Sequence, residues 1–149
     1  MGRKYFQKIL LVFSILVYMI LCVGCGFSAN YDGDSFIEDM ESMGCKITVA
    51  NESIVKNTIL GVYPDYFTLN NELIALYRYN TTEELEKNIK GLSEDGTQFK
   101  LDKTNMTLVW EDEPHFYKKG ILVVQYIGSN TETLQFLDKV FGKQFAGSN

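Results

Sequence analysis

An uncharged apolar run near the start decides what the rest of the chain must do. Residues 9–23 hold no charged side chain, and Arg3, Lys4 and Lys8 precede them without an acid. As a helix these 15 residues would measure ~22 Å, against a hydrocarbon core of roughly 30 Å. That is short for a permanent span and typical of the apolar region of a secretory signal. The basic end stays in the cytoplasm, so the remainder is expected outside the cytoplasmic membrane. About 125 residues are left to fold, enough for one compact domain and too few for two.

The run closes on Cys22-Val23-Gly24-Cys25-Gly26. A small residue directly before a Cys at this place resembles the lipobox of bacterial lipoproteins. The resemblance implies a diacylglyceryl thioether on Cys25 and cleavage between Gly24 and Cys25, making residues 1–24 a signal peptide. One position departs from that pattern: three residues before the modified Cys, where Leu is usual, stands Cys22, with Leu21 beside it. Lipidation at Cys22 itself would need a small residue ahead of it, and Met19-Ile20-Leu21 offers none. An uncleaved apolar anchor, with both Cys as small apolar residues, is the alternative, and it too leaves residues 26–149 outside. Two acyl chains, at ~0.8 kcal/mol per buried CH₂, hold a protein stably where one chain is marginal. The expected location is therefore the outer face of the cell membrane, by a lipid anchor.

Composition matters once the leader is set aside. The chain of 149 residues has 14 Lys and Arg against 19 Asp and Glu. Three of those bases lie before residue 24, leaving 11 against 19, or −8. Nucleic-acid binding draws on clustered Lys and Arg, and this balance gives no reason to expect it. Of three Cys, Cys22 leaves with the signal and Cys25 takes lipid, so Cys45 stands alone, read as a small buried hydrophobe at a strand start. Without a disulfide framework, the domain must be held by its core.

Residues 25–33 are mostly small and polar and read as a tether; residues 34–149 read as a single α+β domain. Ser35 and Glu38 fit a capping box, Phe36, Ile37, Met40 and Met43 share one helix face, and Gly44 ends that helix. A strand at 45–50 follows. Beyond it, strand 73–77 with a helix capped by Thr81 or Thr82 resembles strand 122–126 with a helix capped by Asn130 or Thr131. A shift of 49 aligns Leu73 with Leu122 and Leu85 with Leu134, a possible strand-strand-helix duplication. Residues 66–69, through Asn70-Asn71, are the expected hairpin partner of the first strand, and residues 106–110 that of the second. The expected architecture is an antiparallel sheet of four to five strands with helices on one face.

The latter half carries a second likeness. Pro114-His115-Phe116-Tyr117-Lys118-Lys119-Gly120, the strand after it, and the helix end Phe141-Gly142-Lys143-Gln144-Phe145 resemble a group of small uncharacterised bacterial lipoproteins. No activity comes with that resemblance, so it implies no functional residue.

Tests for chemistry return little. His115 is the sole His, and with Cys45 and scattered carboxylates it has no zinc-ligand spacing. No nucleophile elbow or Gly-rich phosphate loop occurs, so no metal and no cofactor is expected. Glu111-Asp112-Glu113 beside His115 is the nearest thing to an acid–base set, and it reads more simply as a solvated loop. Aromatics are the remaining class of interest. Tyr63, Tyr66, Phe116 and Tyr117 fall at expected loops or strand starts and form the candidate interaction surface, although core packing explains aromatics there more simply. The expectation is a non-enzymatic, envelope-anchored binding module meeting a protein or cell-wall partner. Its alternatives are a wall-directed hydrolase using Glu111, Asp112 or Glu113 with His115, and an inhibitor or regulatory module of an envelope complex.

Overall fold

The computed structural model describes residues 31–50, 59–101 and 104–148. The signal segment, Cys25 and residues 26–30 lie outside the described residues. Among the described residues three helices, α1 (Gly33–Ser42), α2 (Thr82–Ile89) and α3 (Thr131–Phe141), accompany eight strands. These are β1 (Ile47–Val49), β2 (Asp65–Leu69), β3 (Glu72–Arg78), β4 (Gln98–Leu101), β5 (Thr104–Thr107), β6 (Pro114–Lys119), β7 (Leu122–Ile127) and β8 (Ala146–Gly147). Six of them form one antiparallel sheet in the order β1-β2-β3-β7-β6-β8, and β4-β5 is a separate two-stranded ribbon. The α+β class is as expected; the sheet is one strand wider.

Two hairpins make the sheet's centre, and their turns follow from their residues. Asn70 and Asn71 both have positive φ (50° and 72°), as a two-residue type I′ turn requires. In the second hairpin Gly120 has φ 60°, and a Cβ there would stand 2.7 Å from the Tyr31 carbonyl oxygen. The hairpin partner of β7 is thus β6, not residues 106–110, of which Met106 and Thr107 belong to β5 of the ribbon. Residues 114–119 are a strand within the sheet.

Alternation along the strands sorts the core onto both faces. Ile74, Leu76, Tyr117, Leu122, Val124 and Tyr126 point to one side and pack with Phe36 and Met40 of α1 and Leu137 of α3. Ala75, Tyr77, Phe116 and Val123 point to the other, against Leu85 and Ile89 of α2 and Phe99 of the ribbon. Helices therefore cover both faces, which corrects the expectation of one. Tyr77, fully buried, donates to Gln125 Oε1 at 2.8 Å, so the polar atom of the second face's centre is satisfied.

The internal likeness is real in the hairpins, at a different offset. Leu69 faces Glu72 across the first turn and Lys119 faces Leu122 across the second, a shift of 50. At the centre Ala75 pairs with Gln125, themselves 50 apart, so that pair sits on a local two-fold axis through the sheet. The same shift brings Pro64 onto Pro114 and Tyr66-Phe67 onto Phe116-Tyr117. The helix caps, Thr81 and Asn130, are only 49 apart. β7 is one residue shorter than β3, and because side chains alternate with period two the chain leaves it toward the opposite face. That accounts for α2 and α3 lying on different sides.

Packing begins before the expected boundary at residue 34. Asp32 caps α1 by accepting from Ser35 N at 3.0 Å, and Gly33 is buried. Tyr31 donates to Asp39 Oδ2 at 2.9 Å, meets the Phe141 ring edge-on, and lies under Lys119 Nζ, 3.8 Å from its ring centre. Burial and the nearby Asp39 push the Tyr31 hydroxyl well above its ordinary pKa, so it stays a donor. Tyr31 to Gly33, expected in the tether, are part of the folded domain.

Candidate functional site

Helix α2 is set by its cap. Thr81 Oγ1 accepts from Glu84 N at 3.1 Å, while the Glu84 carboxylate takes Asn80 N at 3.0 Å, a reciprocal arrangement that satisfies orphan donors. With Leu85 and Ile89 turned into the core, Lys87 and Lys90, three positions apart, share a stretch of the outer surface.

The ribbon is fastened to the end of that helix. Lys100 N donates to Gly91 O at 2.8 Å, and Leu92 bridges to Phe99. The approach is too close for any side chain: a Cβ on Gly91 would lie 2.4 Å from Lys100 O. Asp95 holds the intervening turn by accepting from Ser93 Oγ, Thr97 N and Thr97 Oγ1. Trp110, the chain's single Trp, donates its indole N–H to Gly96 O at 2.8 Å and meets the Phe116 ring edge-on.

Between α2 and the ribbon this leaves an open groove of about 1090 Å³. Phe99, Leu108 and Trp110 form its apolar floor, and Lys87, Lys90 and Lys100 stand around it. Two further lining residues put apolar surface into solvent, Val109 (88% exposed) and Met106 (44%).

The charges of α2 are divided in a way that matters. Glu84 is held by Asn80, Glu86 by Lys118 Nζ at 2.6 Å, and Glu83 hydrogen-bonds to its own backbone N–H and to Thr81, which lowers its pKa. Lys87, Lys90 and Lys100 take part in none of the ion pairs among the described residues. The groove is thus a basic, apolar concavity in a chain whose net charge is −5.

The four aromatics expected to form one surface are separated. Phe116 (0% exposed) and Tyr117 (2%) are core residues on opposite faces of the sheet, because adjacent strand positions point opposite ways. Tyr63 is exposed and Tyr66 half-buried, both in the segment following Gly61, which lines the groove. His115 lies within β6 rather than in a loop, 4% exposed. Its Nδ1 is 2.8 Å from Gln144 Oε1 and its ring stacks on Tyr126; with that oxygen accepting, the ring proton sits on Nδ1. Glu111, Asp112 and Glu113 are exposed, and neither they nor His115 line the groove. Cys45 is buried and unbonded, and burial raises its thiol pKa, in keeping with a packing role. Among the described residues no cluster of His, Cys, Asp and Glu could hold a metal ion, and no helix is long and apolar enough to cross a membrane.

The groove residues went unnoticed in the sequence. Lys87 and Lys90 carried a usable signal, their i, i+3 spacing opposite Leu85 and Ile89; Lys100, Val109 and Trp110 depend on where the ribbon docks. Comparisons with protein-family models, with curated proteins and with solved structures find no match to this chain.

Proposed function

We propose that the protein is an envelope lipoprotein, anchored through Cys25 on the outer face of the cytoplasmic membrane, whose folded domain is a non-enzymatic binding module. The observation that carries the binding role is the groove between α2 and the ribbon. Its floor is apolar, its three lysines lack acidic partners among the described residues, and apolar side chains stand exposed at its edge. Concave apolar sites with a few convergent polar groups are where ligands bind. The anchor is supported by the leader's length, its basic start and the Gly24-Cys25 junction. Tyr31 is packed within the domain, so no more than residues 26–30 lie between Cys25 and that contact, a reach of at most ~21 Å. The domain is then held close to the membrane surface.

The placement is tested by processing. Globomycin, or Cys25→Ala, is expected to leave a precursor longer by the 24-residue leader, seen as slower migration of the membrane-fraction protein in gels. Normal cleavage of Cys25→Ala would contradict the anchor.

A further inference from the structure

We propose that the groove between α2 and the β4-β5 ribbon holds a single anionic phospholipid, its phosphate among Lys87, Lys90 and Lys100 and its acyl chains along Phe99, Leu108 and Trp110. The inference rests on reading this groove as the recognition site, and it adds the ligand's chemistry.

Four observations point to this class. First, the charge is complementary: the acids of α2 are engaged by Asn80, Lys118 and their own cap, while the three lysines have no acidic partner among the described residues. Second, a small inorganic anion would use the lysines and leave the floor of Phe99, Leu108 and Trp110 in water, so the ligand must carry an apolar portion as well. Third, about 1090 Å³ lies at the upper end of the usual range for small-ligand sites and suits a two-chain amphiphile better than a compact metabolite. Fourth, Val109 and Met106 present apolar surface beside the lysines, the pairing by which proteins engage an anionic lipid interface. On the proposed reading, the anchor at Cys25 keeps the domain at a membrane that supplies such lipids.

Trp110 is the only Trp and sits in the groove, so its emission reports occupancy directly. The full chain is placed in phosphatidylcholine nanodiscs and titrated with short-chain phosphatidylglycerol, short-chain phosphatidylcholine of equal chain length, or inorganic phosphate. The expected result is a saturable blue shift with phosphatidylglycerol. Half-saturation should need at least tenfold more phosphatidylcholine, and phosphate alone should leave the emission unchanged. The variant Lys87→Gln/Lys90→Gln/Lys100→Gln, three exposed changes, should need at least tenfold more phosphatidylglycerol while keeping the wild-type circular dichroism. A second variant, Val109→Asp, should weaken binding without touching the lysines. Equal response to both lipids, or an unaffected triple variant, would overturn the proposal, as would a full response to phosphate, which marks a soluble-anion site. No saturable change in Trp110 emission with any probe would overturn it too. None of these outcomes touches the processing test, so the anchor and the ligand stand or fall separately.

Discussion

Asp95 shows how one side chain fixes the turn that leads into the ribbon. The hydrogen bonds it accepts from Ser93 and Thr97 favour its charged form and hold its carboxyl at about 2, below the ordinary 3.8. A carboxyl depressed by folding contributes stability above its unfolded value, and that contribution disappears as pH falls toward the folded value. Asp95→Asn is therefore expected to lower the urea midpoint at pH 7, with most of the difference from wild type gone by pH 2. Equal midpoints at pH 7 would mean the turn does not depend on this carboxylate. Residue by residue, the chemically constrained positions were legible: the Thr81 and Asn130 caps, the Asn70-Asn71 turn and buried Cys45 each follow from a local rule. Phe116 and Tyr117 were not, because an aromatic residue's exposure depends on which strand it joins.

Among elements, the junction of α2 with the ribbon is a demanding contact, since Gly91 admits no Cβ against Lys100 O. Gly91→Ala is expected to push the ribbon off the helix end, breaking the Lys100 N–Gly91 O bond and unseating Trp110. Amide exchange should quicken in β4 and β5 while β3 and β7 keep their protection, at a cost of about 1–3 kcal/mol in overall stability. Unchanged exchange in the ribbon would show the junction to be more tolerant than its geometry implies. The ribbon is also where sequence reading failed. Asn105 and Thr107 alternate with apolar Met106 and Leu108 as in a sheet strand, and alternation cannot say which partner a strand takes. The offset of 49 misled for a related reason: it followed the helices, whereas the hairpins repeat at 50, and one residue decides the face.

The whole molecule is a two-sided sheet whose faces are used differently. One face is covered by α1 and α3 and closed at its edge by Tyr31, Asp39 and Lys119. The other carries α2 and the ribbon, and leaves the groove between them. The α+β class and antiparallel sheet were readable from periodicity, because burying one set of alternate positions leaves a pattern in the chain. The groove was not, since it arises between elements whose packing no local pattern specifies. Everything proposed about function joins this groove to a membrane through Cys25. The most direct test is the intact mass of the protein extracted from its own cell membrane. The account predicts a chain beginning at Cys25 whose N-terminal peptide carries a diacylglyceryl group. A chain that still begins at Met1, or a Cys25 with an unmodified thiol, would contradict it.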